Sequence, residues 1–391
     1  MRILHVIPVF SPPRLLGGSQ RVAYLLSKGL VQKGHEVVIY TSDMKNLKER
    51  IGKFTEEING VSVVHFKNVS LFLSSKTMLI ITLGMIKSLE MDMKNFDVIH
   101  LHEARSFQDV AVWRIALKKK VPYIVQPHGN VSKHFGGFSR KIYDELFGKR
   151  VLRDASKVIV ASRAEALDCM RFGVNSKKIE VIPNPIDIEE FNNPTIKGTF
   201  KQKYDIKSNS KVILFMGRIH PIKGVDILIH AFNNLMKVSK VNATLVVSGP
   251  DDGYMAKCVK MVATYKLKNV IFTGQLEDKE RICAYYDADV LVLPSRYESF
   301  SMTVLEAYAS GKPVVTSRVG GLKDLVINRK TGLLVEPENM SELSEALSSM
   351  LSNKEKAEKM GLVAKEFVKN FAVERIIDRW ERLYQKLMFY S

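Results

Sequence analysis

The sequence predicts an α/β protein of two Rossmann-like domains, and three observations predict it. Short, wholly apolar runs such as Val290-Leu291-Val292-Leu293 leave no solvated face and read as buried parallel strands. Amphipathic stretches follow these runs, so strand and helix alternate through both halves of the chain. The length of 391 residues is long for one core and suits two domains of about 180 residues each. The break falls at Val181-Ile-Pro-Asn-Pro-Ile-Asp187, where two prolines two residues apart resist both helix and central strand. Residues 1–185 and 186–372 are the expected domains.

In the first half, Arg2 to Ile7 reads as a buried strand, and Pro8 to Gly18 as a loop rich in proline and glycine. Gly17-Gly18-Ser19 then opens an amphipathic helix with apolar positions at Val22, Leu25, Leu26 and Leu30, closed at Gly34. A glycine pair at a helix start lets backbone approach a phosphate or an acceptor, and it equally fits a plain turn. Val37 to Tyr40 is the next strand, Asn59-Gly60 marks a turn between strands, and a helix is expected over residues 76 to 92. Asp97 to His102 is a strand, followed by a helix to Lys118. The strand Pro122 to Val125 ends in Gln126-Pro127-His128-Gly129. His128 therefore lies just past a strand's carboxyl end, where ligands bind in open α/β sheets; His100 and His102 are weaker candidates. Ser139 to Arg153 is a basic helix bearing Tyr143, Leu146 and Phe147, with Phe138 just before it; Lys157 to Val160 and Ser162 to Phe172 are a further strand and helix.

The second half repeats the alternation. The strand Lys211 to Met216 runs into the loop Gly217-Arg218-Ile219-His220-Pro221-Ile222-Lys223-Gly224 and the helix Val225 to Met236. Arg218 and Lys223 place two positive charges where a pyrophosphate can sit, Arg as a bidentate fork and Lys as a point charge. Ala243 to Ser248 and Val270 to Thr273 are strands, and Gln275 follows the turn at Gly274. After Val290 to Leu293, Pro294 ends the strand and a loop carries Glu298. A helix from Ser301 or Met302 carries Glu306, and Pro313-Val314-Val315 opens the next strand. Two carboxylates are thus held at a strand-to-helix handover, able to accept sugar or ribose hydroxyls. Ser295-x-x-Glu298 and Thr303-x-x-Glu306 also fit the capping-box pattern, in which each Glu would only satisfy a helix start. Near the end, Ile376, Ile377, Trp380, Leu383 and Leu387 form one apolar stripe of a last helix.

Composition excludes several classes. Hydrophobic residues make up 46% and charged residues 26%, as in ordinary soluble proteins. MRILHVIPVF lacks the parts of a secretory signal, and the most apolar stretch, Val69 to Leu89, is broken by Lys76 and Lys87, so no transmembrane span is expected. Three cysteines, Cys169, Cys258 and Cys283, show no metal-ligand spacing, and the nine histidines form no H-E-x-x-H and no Cys/His cluster, so no zinc site is expected. The formal net charge is +18, and residues 101 to 178 carry 16 Lys and Arg against 7 Asp and Glu. Such a surface favours polyanions. Nucleic-acid motifs are absent, which leaves an anionic membrane or a generally basic surface.

The spacing Glu298-x7-Glu306 within PSRYESFSMTVLEAYASGKPVV, together with GR-x4-KG at Gly217 to Gly224, resembles the signature of retaining GT-B glycosyltransferases of family 4. The resemblance covers nearly the whole chain, closely from Gly217 to Thr316. The family's usual glycines after the first Glu are Ser299 and Ser301 here, and Pro185 stands where it more often has glycine. The resemblance implies two domains facing across a cleft, with a last helix, 373–391, crossing back to the first. It implies that Arg218 and Lys223 bind the diphosphate, Gln275 lies by the base, and Phe300, Ser301 and Met302 line the donor. Glu298 would hold sugar hydroxyls, Glu306 the ribose, His128 the far side of the sugar, and Gly17 and Gly18 would lie over the cleft.

The resulting expectation is a metal-independent, cofactor-free glycosyltransferase. It would transfer sugar with retention from a UDP- or GDP-sugar to a hydroxyl of a glycan or lipid-linked acceptor, in cell-surface polysaccharide or glycolipid synthesis. The expected place is the cytoplasm, peripheral to the cytosolic membrane face. Other readings stay open on the residues: a non-catalytic nucleotide-sugar-binding partner protein, a sugar-nucleotide epimerase, or a nicotinamide-dependent oxidoreductase, the last disfavoured by the absence of G-x-G-x-x-G.

Overall fold

The apolar runs become the strands of two sheets, one in each of two units. The computed structural model describes residues 1–10, 17–46, 48–72, 74, 79–132, 137–192, 197–239 and 241–389. Its units are Met1–Pro185 with Val373–Ser391, and Ile186–Ala372.

The first unit holds eight strands: β1 (Arg2–Val6), β2 (Glu36–Ser42), β3 (Thr55–Ile58), β4 (Val61–Phe66), β5 (Val98–His102), β6 (Tyr123–Gln126), β7 (Lys157–Val160) and β8 (Ile179–Val181). Their order is β3-β4-β2-β1-β5-β6-β7-β8. All neighbours pair parallel except β3 and β4, an antiparallel hairpin turned at Asn59-Gly60. The chain leaves β1 toward β2 and later returns to β5 on its other side, so the order reverses between β1 and β5. Ligand crevices open at such a reversal, outside the strands' carboxyl ends.

The second unit holds six parallel strands: β9 (Lys211–Met216), β10 (Ala243–Ser248), β11 (Val270–Gly274), β12 (Val290–Leu293), β13 (Val314–Ser317) and β14 (Gly332–Val335). The order β11-β10-β9-β12-β13-β14 is the doubly wound 3-2-1-4-5-6 arrangement, with its reversal between β9 and β12. The loop carrying Arg218 and Lys223 follows β9, and the loop carrying Glu298 follows β12. Topology alone therefore brings both motifs to one crevice.

Two expectations need correction. The helix expected over 76 to 92 is Leu83–Asp92, with Thr82 at its start; residues 79–82 are not helical, and 76–78 lie outside the described residues. The loop Pro8 to Gly18 lies partly outside them too, at 11–16. The basic helix expected from Ser139 to Arg153 is a run of Phe138–Tyr143, a π-turn over Asp144–Gly148, and Lys149–Asp154. Among the described residues, no helix is long and apolar enough to cross a membrane, and the three cysteines are unbridged.

The C-terminal helix Val373–Phe389 belongs to the first unit, and its stripe of Ile376, Ile377, Trp380, Leu383 and Leu387 is buried, joined by Tyr384. It packs on the helix Gly18–Gln32. A Cβ built on Gly29 would lie 2.5 Å from Ile377 Cγ1, so the glycine is there to make room. Lys33 and His35 pair with Glu381 at 3.1 and 2.9 Å beside this crossing. Gly29→Ala, which in an open helix gains about 0.5–1 kcal/mol, should instead destabilise the first unit by about 1–3 kcal/mol through overpacking. Ile377→Ala added to it should cost less than the two single losses summed, as read by urea unfolding of all three variants.

Candidate active site

At the reversal in the second unit, backbone contacts set the side chains. Gly224 has φ +71, and a Cβ there would lie 2.1 Å from the Pro294 carbonyl oxygen. The Arg296 N–H donates to the Ile222 carbonyl at 2.8 Å, and the Arg296 guanidinium grips Asp226 at 3.0 and 2.9 Å. The loops after β9 and β12 are thereby locked together. A third loop joins them: Gly320, at φ +44, brings its backbone so close that a Cβ would sit 1.9 Å from the Glu298 carbonyl, to which Gly321 N–H donates at 2.8 Å.

This framework pairs the two motifs found in the sequence. Lys223 Nζ lies 2.6 Å from Glu298 Oε2, with side chains only 20% and 11% exposed. Arg218 is half exposed and paired with Asp252. The helix Met302–Ala309 starts at Ser301, whose Oγ accepts from Val304 N–H at 3.4 Å. No helix begins at Ser295, and Glu306 lies in this helix's second turn, so neither capping box forms. Glu306 instead turns into the unit. Tyr285 donates its hydroxyl to Oε2 at 2.8 Å, and Arg281 Nη1 lies 2.5 Å from Oε1. Phe300 is buried with its ring 6.2 Å from Phe371, Met302 is half-buried, and Gln275 is exposed past Gly274.

In the first unit, β6 hands His128 to a turn in which both His128 (φ +52) and Gly129 (φ +82) are left-handed. Such a backbone costs a non-glycine residue free energy, so the surrounding structure must hold it. Glu165 holds the turn, accepting from Gly129 N–H at 2.5 Å and Ala161 N–H at 2.8 Å; burial pushes its carboxyl up to about 7 against those two bonds.

The histidines are not scattered, which corrects the reading from spacing. His5 pairs with His100 across β1 and β5, and strand alternation puts His102 on the same face. His5 Nδ1 is 2.8 Å from His102 Nε2, His102 Nδ1 is 3.2 Å from His128 Nε2, and His100 Nδ1 is 2.8 Å from the Tyr384 hydroxyl. Burial holds His5 and His128 down to about 3, and drives His100 and His102 well below the usual imidazole range, so all four are neutral. Among the described residues, His5, His100 and His102 are the group that could ligate a metal, their nitrogens lying within 4.8 Å of one another. The rings of His100 and His102 stack at 4.0 Å, and His5 Nε2 and His100 Nε2 are buried without a hydrogen-bond partner among the described residues.

Sequence reasoning missed Glu103, Arg281 and Tyr285. Glu103 directly follows β5 in a left-handed conformation (φ +76) and accepts from Ser19 Oγ at 2.6 Å; burial raises its carboxyl. It therefore stands beside the helix start carrying Gly17 and Gly18. A Cβ on Gly17 would meet no described atom within 4 Å, so packing does not demand glycine there. His-x-His-Glu at the end of a buried strand was the available signal for Glu103. Arg281 and Tyr285, one turn apart on the helix Asp278–Asp287, carried none.

Comparisons with known proteins give the family and the fold. The family model described as glycosyl transferases group 1 matches residues 196–367, and that described as Glycosyltransferase Family 4 matches residues 16–190. An uncharacterized glycosyltransferase of Methanocaldococcus jannaschii is 30% identical over 88% of this chain and 87% of its own. A D-inositol 3-phosphate glycosyltransferase of Corynebacterium glutamicum is 26% identical over 94% and 92%. Among solved structures, sucrose-phosphate synthase from Thermosynechococcus elongatus superposes with a TM-score of 0.81 at 21% identity, covering 100% of both chains. Anabaena HepE in complex with UDP and glucose gives 0.81 at 19% identity, covering 99% of this chain and 100% of its own. The fold is that of the GT-B glycosyltransferases, and the chain belongs to the glycosyl transferases group 1 family.

Proposed function

We propose that this glycosyltransferase takes a sugar from a nucleotide-sugar donor held by the second unit and passes it, with retention and without a metal, to a hydroxyl of a glycan or lipid-linked acceptor. The observation that carries this reading is the Lys223–Glu298 pair at the reversal between β9 and β12. A cation beside a carboxylate there matches a diphosphate next to sugar hydroxyls. The solved complexes of HepE with UDP and glucose and with UDP-glucose support a donor of that chemistry. As the diphosphate leaves, its growing charge meets Lys223, Arg218 and the helix N-terminus at Ser301, and preorganised charge of this kind is commonly the largest catalytic contribution. Glu298 accepts from the sugar's hydroxyls and Glu306 from the ribose. His128, Gly17 and Gly18 are the groups the first unit supplies to sugar and acceptor. No protein nucleophile is assigned, and the leaving diphosphate oxygen takes the acceptor's proton.

A thermal-shift panel of UDP, GDP and ADP with their common sugars tests the donor assignment. A true donor at 100 times its Kd should stabilise the protein by about 2.7 kcal/mol, and no shift with any of them would remove the reading. Binding without turnover of any acceptor, or slow hydrolysis alone, would favour the non-catalytic partner protein.

Variants separate the roles. Arg218→Ala and Lys223→Ala should each weaken nucleoside diphosphate by about 1.5–3 kcal/mol, the size of a hydrogen bond to a charged group, in titration calorimetry. Glu306→Gln should weaken even the sugar-free diphosphate. Glu298→Gln should spare it and lower kcat for transfer, and the reverse pattern would exchange the two assignments.

The acceptor side carries a basic surface. In the helix run 138–154, Phe138, Ile142 and Leu146 are exposed at i, i+4 and i+8, interleaved with Arg140, Lys141, Lys149, Arg150 and Arg153. Phe147, by contrast, packs against the first unit's core. An exposed apolar row among cations suits an anionic membrane surface, each cation contributing about 1 kcal/mol. Sedimentation with liposomes should show binding to anionic but not neutral vesicles, lost at high salt. Equal partitioning to both, or to neither, would leave a soluble glycan as the acceptor.

A further inference from the structure

Glu306 is held from behind by one helix. Arg281 and Tyr285 lie one turn apart on Asp278–Asp287 and meet opposite oxygens of its carboxylate, Nη1 2.5 Å from Oε1 and the phenol 2.8 Å from Oε2. Glu306 and Tyr285 are buried, 4% and 0% exposed, and the Arg281 side chain is largely covered at 12% exposed. Arg281 reaches further, with Nη2 3.4 Å from Asp278 and 3.8 Å from Glu190, and its guanidinium lies 5.7 Å from the centre of the Phe191 ring. Arg281 thus stands as an ion-pair partner among three carboxylates, its Nη1 close to Glu306 without hydrogen-bond alignment, and the Tyr285 hydroxyl supplies the hydrogen bond to Glu306.

Stability is a poor explanation for this arrangement. Burying an ion pair costs desolvation that the mutual attraction barely offsets, and apolar side chains of the same volume would hold the helices Asp278–Asp287 and Met302–Ala309 together at least as well. What the pair does provide is a carboxylate of fixed position and orientation. An accepting group held in place binds a pair of adjacent hydroxyls without first losing side-chain freedom.

We propose that Arg281, seconded by Tyr285, is a positioning residue that fixes Glu306 for the ribose hydroxyls, so that preference for a ribonucleotide over its 2′-deoxy counterpart depends on side chains standing behind the carboxylate. The proposal rests on the reading of Glu306 as the ribose acceptor. It extends that reading to two residues on a different helix and to a specificity they control.

Titration calorimetry with UDP and 2′-deoxy-UDP, or with GDP and 2′-deoxy-GDP where the thermal-shift panel selects guanine, tests it on the full chain. The protein should prefer the ribonucleotide on the order of 10- to 100-fold, as for a hydrogen bond to a charged group. Tyr285→Phe removes one hydroxyl without changing shape and should lower that ratio by about two- to tenfold, the size of a net hydrogen bond. Arg281→Met should lower it further, and Arg281→Lys, which keeps the charge and loses the fork, should fall between. If Arg281→Met unfolds the protein by stranding a buried charge, Tyr285→Phe and Arg281→Lys still decide. Equal weakening of both nucleotides with an unchanged ratio, in these variants, overturns the proposal and leaves Arg281 and Tyr285 as packing alone. Glu306→Gln separates the two failures: a ratio unchanged there removes the ribose reading itself, whereas a ratio lost there but kept in the Arg281 and Tyr285 variants removes only the positioning role.

Discussion

The path of the backbone from Pro294 to Ser301 is the constraint on which the second unit's site depends. It runs between two glycines of other loops, Gly224 and Gly320, whose missing side chains leave room for the carbonyls of Pro294 and Glu298. Because β9, β12 and β13 are neighbours in the sheet, their following loops stack at its carboxyl edge and share hydrogen bonds. The Lys223–Glu298 pair is a consequence of that stacking. A methyl group at either glycine would have to push a carbonyl aside by more than an ångström, and both glycines also hold positive φ, which a side chain would strain. The chemistry is thus set by backbone packing before any charge attracts another.

The first unit solves the same problem with neutral groups. Its reversal lies between β1 and β5, and the side chains stacked beneath it are His5, His100 and His102, wholly buried, with His128 at their outer end. An imidazole tolerates burial because it can give up its proton, whereas a carboxylate or ammonium at the same depth needs a partner. The second unit meets that need by pairing, Lys223 with Glu298 and Arg281 with Glu306. The first does so too, with Arg50 on Asp43 and Arg105 on Asp144, but at its reversal it stacks neutral imidazoles and holds Glu165 and Glu103 on backbone N–H groups and a serine hydroxyl.

The architecture was legible because its determinants are local. Four apolar residues in a row, a glycine after a helix and two close prolines each act within a few residues of chain, and they located the strands, the helices and the break near Pro185. The motifs after β9 and β12 were legible for the same reason, since position at a strand's end is a local fact. What the sequence hid is pairing across distance. His5 lies 95 residues from His100 and meets it only through the register of β1 on β5. Arg281 is read locally as an ordinary charge on a helix bearing Asp278 and Glu280, and only the fold brings it to Glu306, 25 residues on. The helix expected from residue 76 failed differently: residues 79–82 are not helical, and the Val69 N–H donates to the Ile81 carbonyl.

Ser299 and Ser301 stand where the family pattern has glycines, and the backbone shows what that exchange costs this fold. Neither serine has a positive φ, and Ser301 is plainly extended at φ −115, so the backbone path asks for no glycine at either. The close approaches that do require glycine come from Gly224 and Gly320, on other loops. Ser301 even improves its own helix, since its hydroxyl accepts from Val304 N–H where glycine could offer nothing, a gain of a few tenths of a kcal/mol. The fold therefore loses nothing by the exchange. Ser301 is itself buried, with its hydroxyl spent on Val304 N–H and the Thr303 hydroxyl, so its side chain is absorbed by the helix start. The departure from the family pattern is thus made on an unchanged frame.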